Sequence, residues 1–313
     1  MLGEIRIFLF HRVSGNKENW THATHVSIFE KCIRYITKNY TVKTVEECLS
    51  AKDSIMPVNG KPIACITFDD GFKDNMVYAL PILEKYKCPA SFYMIAGCID
   101  KGLPTWPHLY SNVFENTRKM KLVINSPELG IQVDKHFKSE HERIQFGVDL
   151  VKKIRFVSPQ DAETLLDVVK QSFNDVEDPH NMMMTWTEVQ QLCKSGYPVG
   201  SHTYTHPKLS AVTDDEQLKY EMVHSGERIK ELCGKFPETI AYPFGHTDER
   251  VMKIAQEAGY KYGLIVGQRT YKPQQDTNIM AIPRIDIYAE KSWLKTNMRI
   301  TGHIETIKKM VGR

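Results

Sequence analysis

The sequence predicts an α/β fold on parallel strands, either a closed barrel or a doubly wound sheet, and three observations point that way. Apolar runs of strand length alternate with amphipathic helical segments from Lys61 to Ile95, and the alternation resumes from Thr185 to Ile287. Between them, at about residues 98–182, charged helix-like stretches punctuated by Pro104, Pro107, Pro127, Pro159 and Pro179 interrupt the pattern. The segments richest in chemistry each lie just beyond the C-terminal end of a strand, where parallel α/β folds gather their functional loops.

Taken in order, Ile5 to Phe10 reads as a buried strand, and Ser27 to Tyr40 as a helix with Ile28, Cys32, Tyr35 and Ile36 at helical spacing. Lys61 to Phe68 is a second buried strand, a helix runs from beyond Gly71 to about Tyr86, and Ala90 to Ile95 is the next strand. The interrupting region, with Lys135 to Ile154 as its best helix, reads as a mainly helical insertion shaping one side of a single domain over residues 1–313. Thr185 and Glu188 have capping-box spacing for a helix from Glu188 to Lys194, and the strand Tyr197 to Ser201 follows. A second such box, Thr213 to Glu216, opens a long amphipathic helix that Gly234 stops. The remaining strands are Thr239 to Tyr242, Tyr262 to Val266 and Ile279 to Ile287, with a helix from Asp248 to Ala258 and a partly helical tail from Lys291 to Lys309.

With 42% hydrophobic and 25% charged residues over 313 positions, the chain has the composition of a soluble globular protein. A formal charge of +3, without Lys/Arg clusters interleaved with aromatics, excludes nucleic acid as the expected partner. No stretch approaches the roughly 18 apolar residues of a membrane span. The N-terminal segment does not read as a signal peptide, and the seven cysteines are odd in number and scattered without paired spacing, so cytoplasmic residence is expected.

Asp69-Asp70-Gly71 ends the second strand, and two adjacent carboxylates repel unless a cation, a proton or strong hydrogen bonds hold them. Such a pair suits a site in which one carboxylate holds a metal ion and the other is left as a base, although Asp-Asp-Gly is also an ordinary turn. His202 and His206, four apart after another strand, would complete a divalent-metal set of two imidazoles and one carboxylate. Tyr242-Pro243-Phe244-Gly245 follows a third strand, and a parallel barrel would bring all three segments to one face.

Thr67-Phe68-Asp69-Asp70-Gly71 and Ser201-His202-Thr203-Tyr204-Thr205-His206 resemble the first two motifs of the polysaccharide deacetylases of the NodB-homology, carbohydrate esterase family 4 type. The similarity covers roughly residues 1–100 and 185–300 and leaves the insertion unaccounted for. It implies a distorted parallel (β/α) barrel of about seven strands that removes an N-acetyl or other small acyl group from an amino sugar of a polysaccharide or glycan precursor. By the same resemblance Asp70, His202 and His206 bind a divalent ion, zinc with nickel or cobalt as alternatives, and Asp69 is the general base. Physical reasoning agrees, because a metal acidifies its water and a free carboxylate beside it can take the proton. Tyr242, rather than Pro243, which has no N–H, is then the expected backbone donor to the oxyanion, with Phe244 beside it.

Two positions depart from the family pattern. Ala241 stands where the third motif usually has arginine, and Arg284 is the best substitute for the missing cation. The late Leu-x-His motif that supplies the general acid is not evident; His303 matches it poorly. Phe10-His11-Arg12-Val13 resembles the Tyr-His motif of the circularly permuted exopolysaccharide deacetylases, which makes His11 the expected acid, with His246 the runner-up. Trp106, Trp186, Tyr204, Phe244 and Trp293 are candidate sugar platforms, Trp106 foremost. Two alternatives remain at this level: a cyclic amide or imide hydrolase on the same fold, and a catalytically weakened glycan-binding protein.

Overall fold

Inward-facing apolar residues at every second position bring seven short strands together around one axis. In the computed structural model, which describes residues 4–15, 23–51, 60–154, 157, 159–287 and 292–302, these strands are β1 (Ile5–Phe10), β2 (Ile63–Phe68), β3 (Ser91–Met94), β4 (Val199–Ser201), β5 (Thr239–Ala241), β6 (Tyr262–Val266) and β7 (Ile282–Asp286). Every neighbouring pair is parallel, in the order β1-β7-β6-β5-β4-β3-β2, and β2 pairs back onto β1 from Ile5↔Ile63 to Phe10↔Phe68, so the ring closes. Of the two architectures the sequence allows, the closed barrel is the one observed. A two-residue strand, Thr41–Val42, pairs with the start of β2 on the edge whose far end belongs to β3.

Ile5 and Ile7, Ile63 and Cys65, Tyr93, Ala241, Leu264 and Ile282 form one buried cluster that fills the lower barrel. Continuing the same period of two upward places Asp69 above Cys65, and Arg284 and Asp286 above Ile282. Charge is thus excluded from the floor and collected at the C-terminal mouth.

Outside the ring lie α1 (Val26–Asn39), α2 (Leu80–Lys85), α3 (Trp186–Lys194), α4 (Asp215–Cys233), α5 (Glu249–Glu257) and α6 (Trp293–Ile300). Most starts follow from their caps. Thr185 and Glu188 exchange both bonds of the capping box, and Asp248 accepts from Val251 N–H at 2.8 Å. The second expected box does not form: Asp214, not Thr213, is the N-cap of α4, accepting from Glu216 N–H at 2.9 Å. Asp competes well for the cap position, and the shift by one residue uses it. Gly234, with φ +84°, ends α4 as expected. Ahead of α2, Asn75–Ala79 is wound as a π-helix; Pro81 has no N–H for the carbonyl four residues earlier, which favours this local widening. The tail beyond residue 302, including His303, lies outside the described residues.

The chain divides into two compact units, one containing the barrel and the other Lys101–Met182. The second unit is less uniformly helical than its charge pattern suggests. Besides helices Trp106–Asn116, Glu140–Ile154 and Pro159–Ser172 it holds an antiparallel hairpin, Lys121–Ser126 with Ile131–His136, turned at Gly130 in the left-handed region. Lys135 is therefore in a strand, and the helix expected from Lys135 begins at Glu140; alternation of buried Leu122, Ile124 and Ser126 with exposed residues is the period-two signal that separates the two. Trp106 is 8% exposed in this unit's own core, edge-on to Tyr110, which removes it as a sugar platform.

Candidate active site and metal centre

At the barrel mouth the carboxylates diverge. Asp69 extends the inward face of β2, and its N–H bonds the Phe10 carbonyl at 3.1 Å. Asp70 turns away through a left-handed backbone (φ +75°), followed by Gly71 (φ +82°), so the two neighbouring side chains leave the strand end in different directions.

Arg284, 0% exposed, grips Asp69, 2% exposed, through two parallel bonds of 2.7 Å, one from each terminal nitrogen to each carboxylate oxygen. The guanidinium also lies 5.6 Å above the Tyr93 ring. Burial alone would raise the Asp69 carboxyl, but the charge of Arg284, then His202, then the paired hydrogen bonds bring it down to about 2. Asp70 goes the other way: burial, with Asp69 adding to it, raises it against the pull of His11 and His202.

His202 Nδ1 lies 2.7 Å from the Ala241 carbonyl. A carbonyl only accepts, so Nδ1 carries the proton and Nε2 presents a lone pair. That nitrogen faces Asp70 Oδ1 at 3.5 Å and Asp69 Oδ2 at 3.8 Å, while His206 Nε2 stands 3.8 Å from Asp70 Oδ1. Ligand atoms of Asp70, His202 and His206 lie within 4.8 Å of one another. Bonds of about 2.1 Å to a tetrahedral ion put ligand atoms roughly 3.4 Å apart, so these three fit a divalent cation such as zinc with little movement. The raised Asp70 fits too, because a cation would stabilise its charged form.

His11 follows β1, with Nδ1 4.0 Å from Asp286 Oδ1, and lies near enough for its charge to favour ionisation of both Asp69 and Asp70. Asn75 Nδ2 donates to the His11 carbonyl at 2.8 Å, which fixes the backbone there. The alternative acid, His246, is exposed. Phe244, 42% exposed, sits with its ring 4.9 Å from that of His206.

Tyr242 does not serve as expected. Its N–H is spent on the Leu264 carbonyl at 3.0 Å, continuing the β5–β6 ladder, and its ring is buried in the core beneath α4 and α5. The next N–H along, that of Phe244, has no hydrogen bond among the described residues and sits on a left-handed residue (φ +59°). Of the other aromatics, Trp186 donates Nε1 to Asp100 at 2.7 Å, Tyr204 packs against His224, and Trp293 packs against Tyr35.

A family profile described as polysaccharide deacetylase matches residues 57–141 and 156–263, well over half of the chain. The chain belongs to the polysaccharide deacetylase family. Among curated relatives, a peptidoglycan-N-acetylglucosamine deacetylase of Bacillus cereus is 32% identical over 72 residues, which cover 23% of this chain and 26% of that protein. The match thus spans about a quarter of the relative's length. Among solved structures, the deacetylase PplD of Streptococcus pyogenes superposes with a TM-score of 0.62 at 17% identity, covering 95% of this chain and 99% of that one. IcaB from Ammonifex degensii gives 0.60 at 16% identity, covering 95% and 97%. At these identities the two deacetylase structures establish the shared barrel fold.

Two members of the site escape motif reading. Asp286 was legible as the residue two beyond Arg284 on the same strand face. Glu221, which holds the backbone between the two histidines, is a charged residue inside the buried stripe of α4, between Leu218 and Met222.

Proposed function

We propose that this protein is a metal-dependent hydrolase that removes an N-acetyl, or other small acyl, group from an amino sugar of a polysaccharide or glycan precursor. The observation that carries the reading is the pair of differently treated carboxylates: Asp70 faces two imidazoles, while Asp69 is locked by Arg284. The N-acetylglucosamine substrate in the curated relative's name supports an N-acetylated carbohydrate. The seven free cysteines fit work on a precursor in a reducing cytoplasm.

Asp70, His202 and His206 would hold the ion, zinc first, with nickel or cobalt as alternatives. When bound there, a divalent ion lowers the pKa of water and polarises the acyl carbonyl. Asp69 takes the proton from the attacking water; Arg284 uses one lone pair of each of its oxygens and leaves others for that task. Water adds to the acyl carbon, and the Phe244 N–H, in place of Tyr242, donates to the developing oxyanion. The carbon–nitrogen bond then breaks, and His11, with Asp286 behind its ring, protonates the departing amine. The exposed Phe244 ring offers an apolar face to the sugar.

Acetate release from N-acetyl sugars, sugar nucleotides and cyclic amides, measured together with metal content, tests the reading. Asp69→Asn should keep its metal and lose activity. Full activity in that variant, or turnover of cyclic amides alone, would overturn the assignment; metal binding without any turnover would favour a glycan-binding protein.

A further inference from the structure

The loop from His202 to His206 is strained. Thr203 and His206 both have left-handed backbones (φ +65° and +63°), and for β-branched threonine that conformation is a genuine outlier. Such residues persist where their surroundings over-determine them. The loop ties to itself, Thr203 N–H to Ser201 Oγ at 3.2 Å and His206 N–H to Thr203 Oγ1 at 3.1 Å, and three further ties join it to its surroundings. His202 N–H bonds the Met94 carbonyl at 2.8 Å; the Thr203 and Tyr204 carbonyls accept from Ala96 and Gly97 N–H at 3.2 and 2.8 Å; the third tie is a side chain.

That side chain is Glu221, on α4 and 3% exposed. One carboxylate oxygen accepts from the successive N–H groups of Tyr204 and Thr205 at 3.0 and 2.7 Å, and the other accepts the Thr205 hydroxyl at 2.5 Å. Two consecutive amides converging on one oxygen form a backbone nest, an anion-binding concavity. Here the anion is the protein's own, and the segment it closes lies between the two imidazoles. A carboxylate is costly to bury, and these three donors are what satisfy it.

We propose that Glu221 is a positioning residue that holds His202 and His206 facing Asp70, so that the site is formed before an ion arrives. The proposal rests on reading Asp70, His202 and His206 as the ion-holding set. Its content is geometric: the length of the side chain matters and its charge does not. Gln at this position can accept both amides on its oxygen and donate its NH2 to the Thr205 hydroxyl, whereas Asp keeps the charge but falls one methylene short.

The experiment is zinc titration of the metal-stripped protein against a competing chelator, for wild type, His202→Ala, Glu221→Gln and Glu221→Asp, with the metal-free unfolding midpoint of each. Glu221→Asp should bind zinc on the order of 10–100-fold more weakly, the range seen when partners that orient metal ligands are removed. Glu221→Gln should stay within about threefold of wild type, because every hydrogen bond has a counterpart. If His202→Ala binds as tightly as wild type, the reading of the ion site has failed. If His202→Ala loses zinc but Glu221→Asp keeps it, merely melting earlier, Glu221 is structural and the present proposal alone falls. The reverse ranking, Asp tight and Gln weak, would replace positioning by charge and also overturn it. Should Glu221→Asp not fold, Thr205→Val, which deletes only the hydroxyl bond, should still weaken zinc several-fold, and unchanged affinity would refute the proposal.

Discussion

Replacing Arg284 by methionine tests the electrostatic core of the site. Asp69 accepts two bonds of 2.7 Å from a guanidinium that is itself fully buried, and its carboxyl is lowered from 3.8 to about 2. At 1.36 kcal/mol per unit, that difference is about 2 kcal/mol of stability. Because the folded pKa is depressed, this contribution is present above the unfolded carboxyl's titration near pH 4 and is lost as pH falls towards 2. In Arg284→Met the carboxylate is stranded beside Asp70, and breaking one partner from a buried pair costs about 3–5 kcal/mol at neutral pH. The sign of the pH dependence then reverses: burial now favours the neutral acid, so the deficit against wild type should be largest near pH 7 and shrink on acidification to pH 4. Adding Asp69→Asn to Arg284→Met removes the stranded charge and should recover part of the loss. Urea unfolding of metal-stripped protein, followed by circular dichroism between pH 4 and 8, measures the deficit, its pH dependence and the recovery in the double variant. A deficit under about 1 kcal/mol, a deficit constant with pH, or a double variant no more stable than Arg284→Met would refute the reasoning.

Two further outcomes follow from the same geometry. His11→Gln should lower kcat for acetate release by about 10²–10⁴-fold while metal content stays at the wild-type level; unchanged kcat would remove His11 as the acid. Gly97→Ala should weaken zinc binding by roughly tenfold, because its Cβ would come 2.5 Å from the Tyr204 carbonyl and push on the histidine loop. Unaltered affinity in a folded Gly97→Ala protein would show that the loop tolerates displacement.

The strands, though not their closure into a barrel, and the four polar residues Asp69, Asp70, His202 and His206 were legible because their signals are local: apolar runs of strand length, and short motifs at strand ends. The insertion's hairpin was harder, since Lys135 and its charged neighbours on β-type alternation also suit a helix. Tyr242 shows a different limit. Whether a backbone N–H is available depends on where a ladder stops, and the β5–β6 pairing runs one residue further than the strand itself, to Leu264.

The missing arginine is the more instructive case. Ala241 and Arg284 are far apart in sequence and stand on β5 and β7, yet both project from inward faces of the same ring. Around that ring β7 is two strands from β2, with only β1 between, so an arginine there can reach over the mouth to Asp69. The guanidinium entering from β7 lies above the Tyr93 ring, whereas Ala241 pairs level with Leu264, and so with Ile282, in the apolar layer below. The position at 241 retains a role through its backbone, whose carbonyl sets the tautomer of His202. Motif reading records Ala241 as a loss because a motif tracks side chains along the chain, whereas a closed barrel lets any inward position at the right height supply the charge.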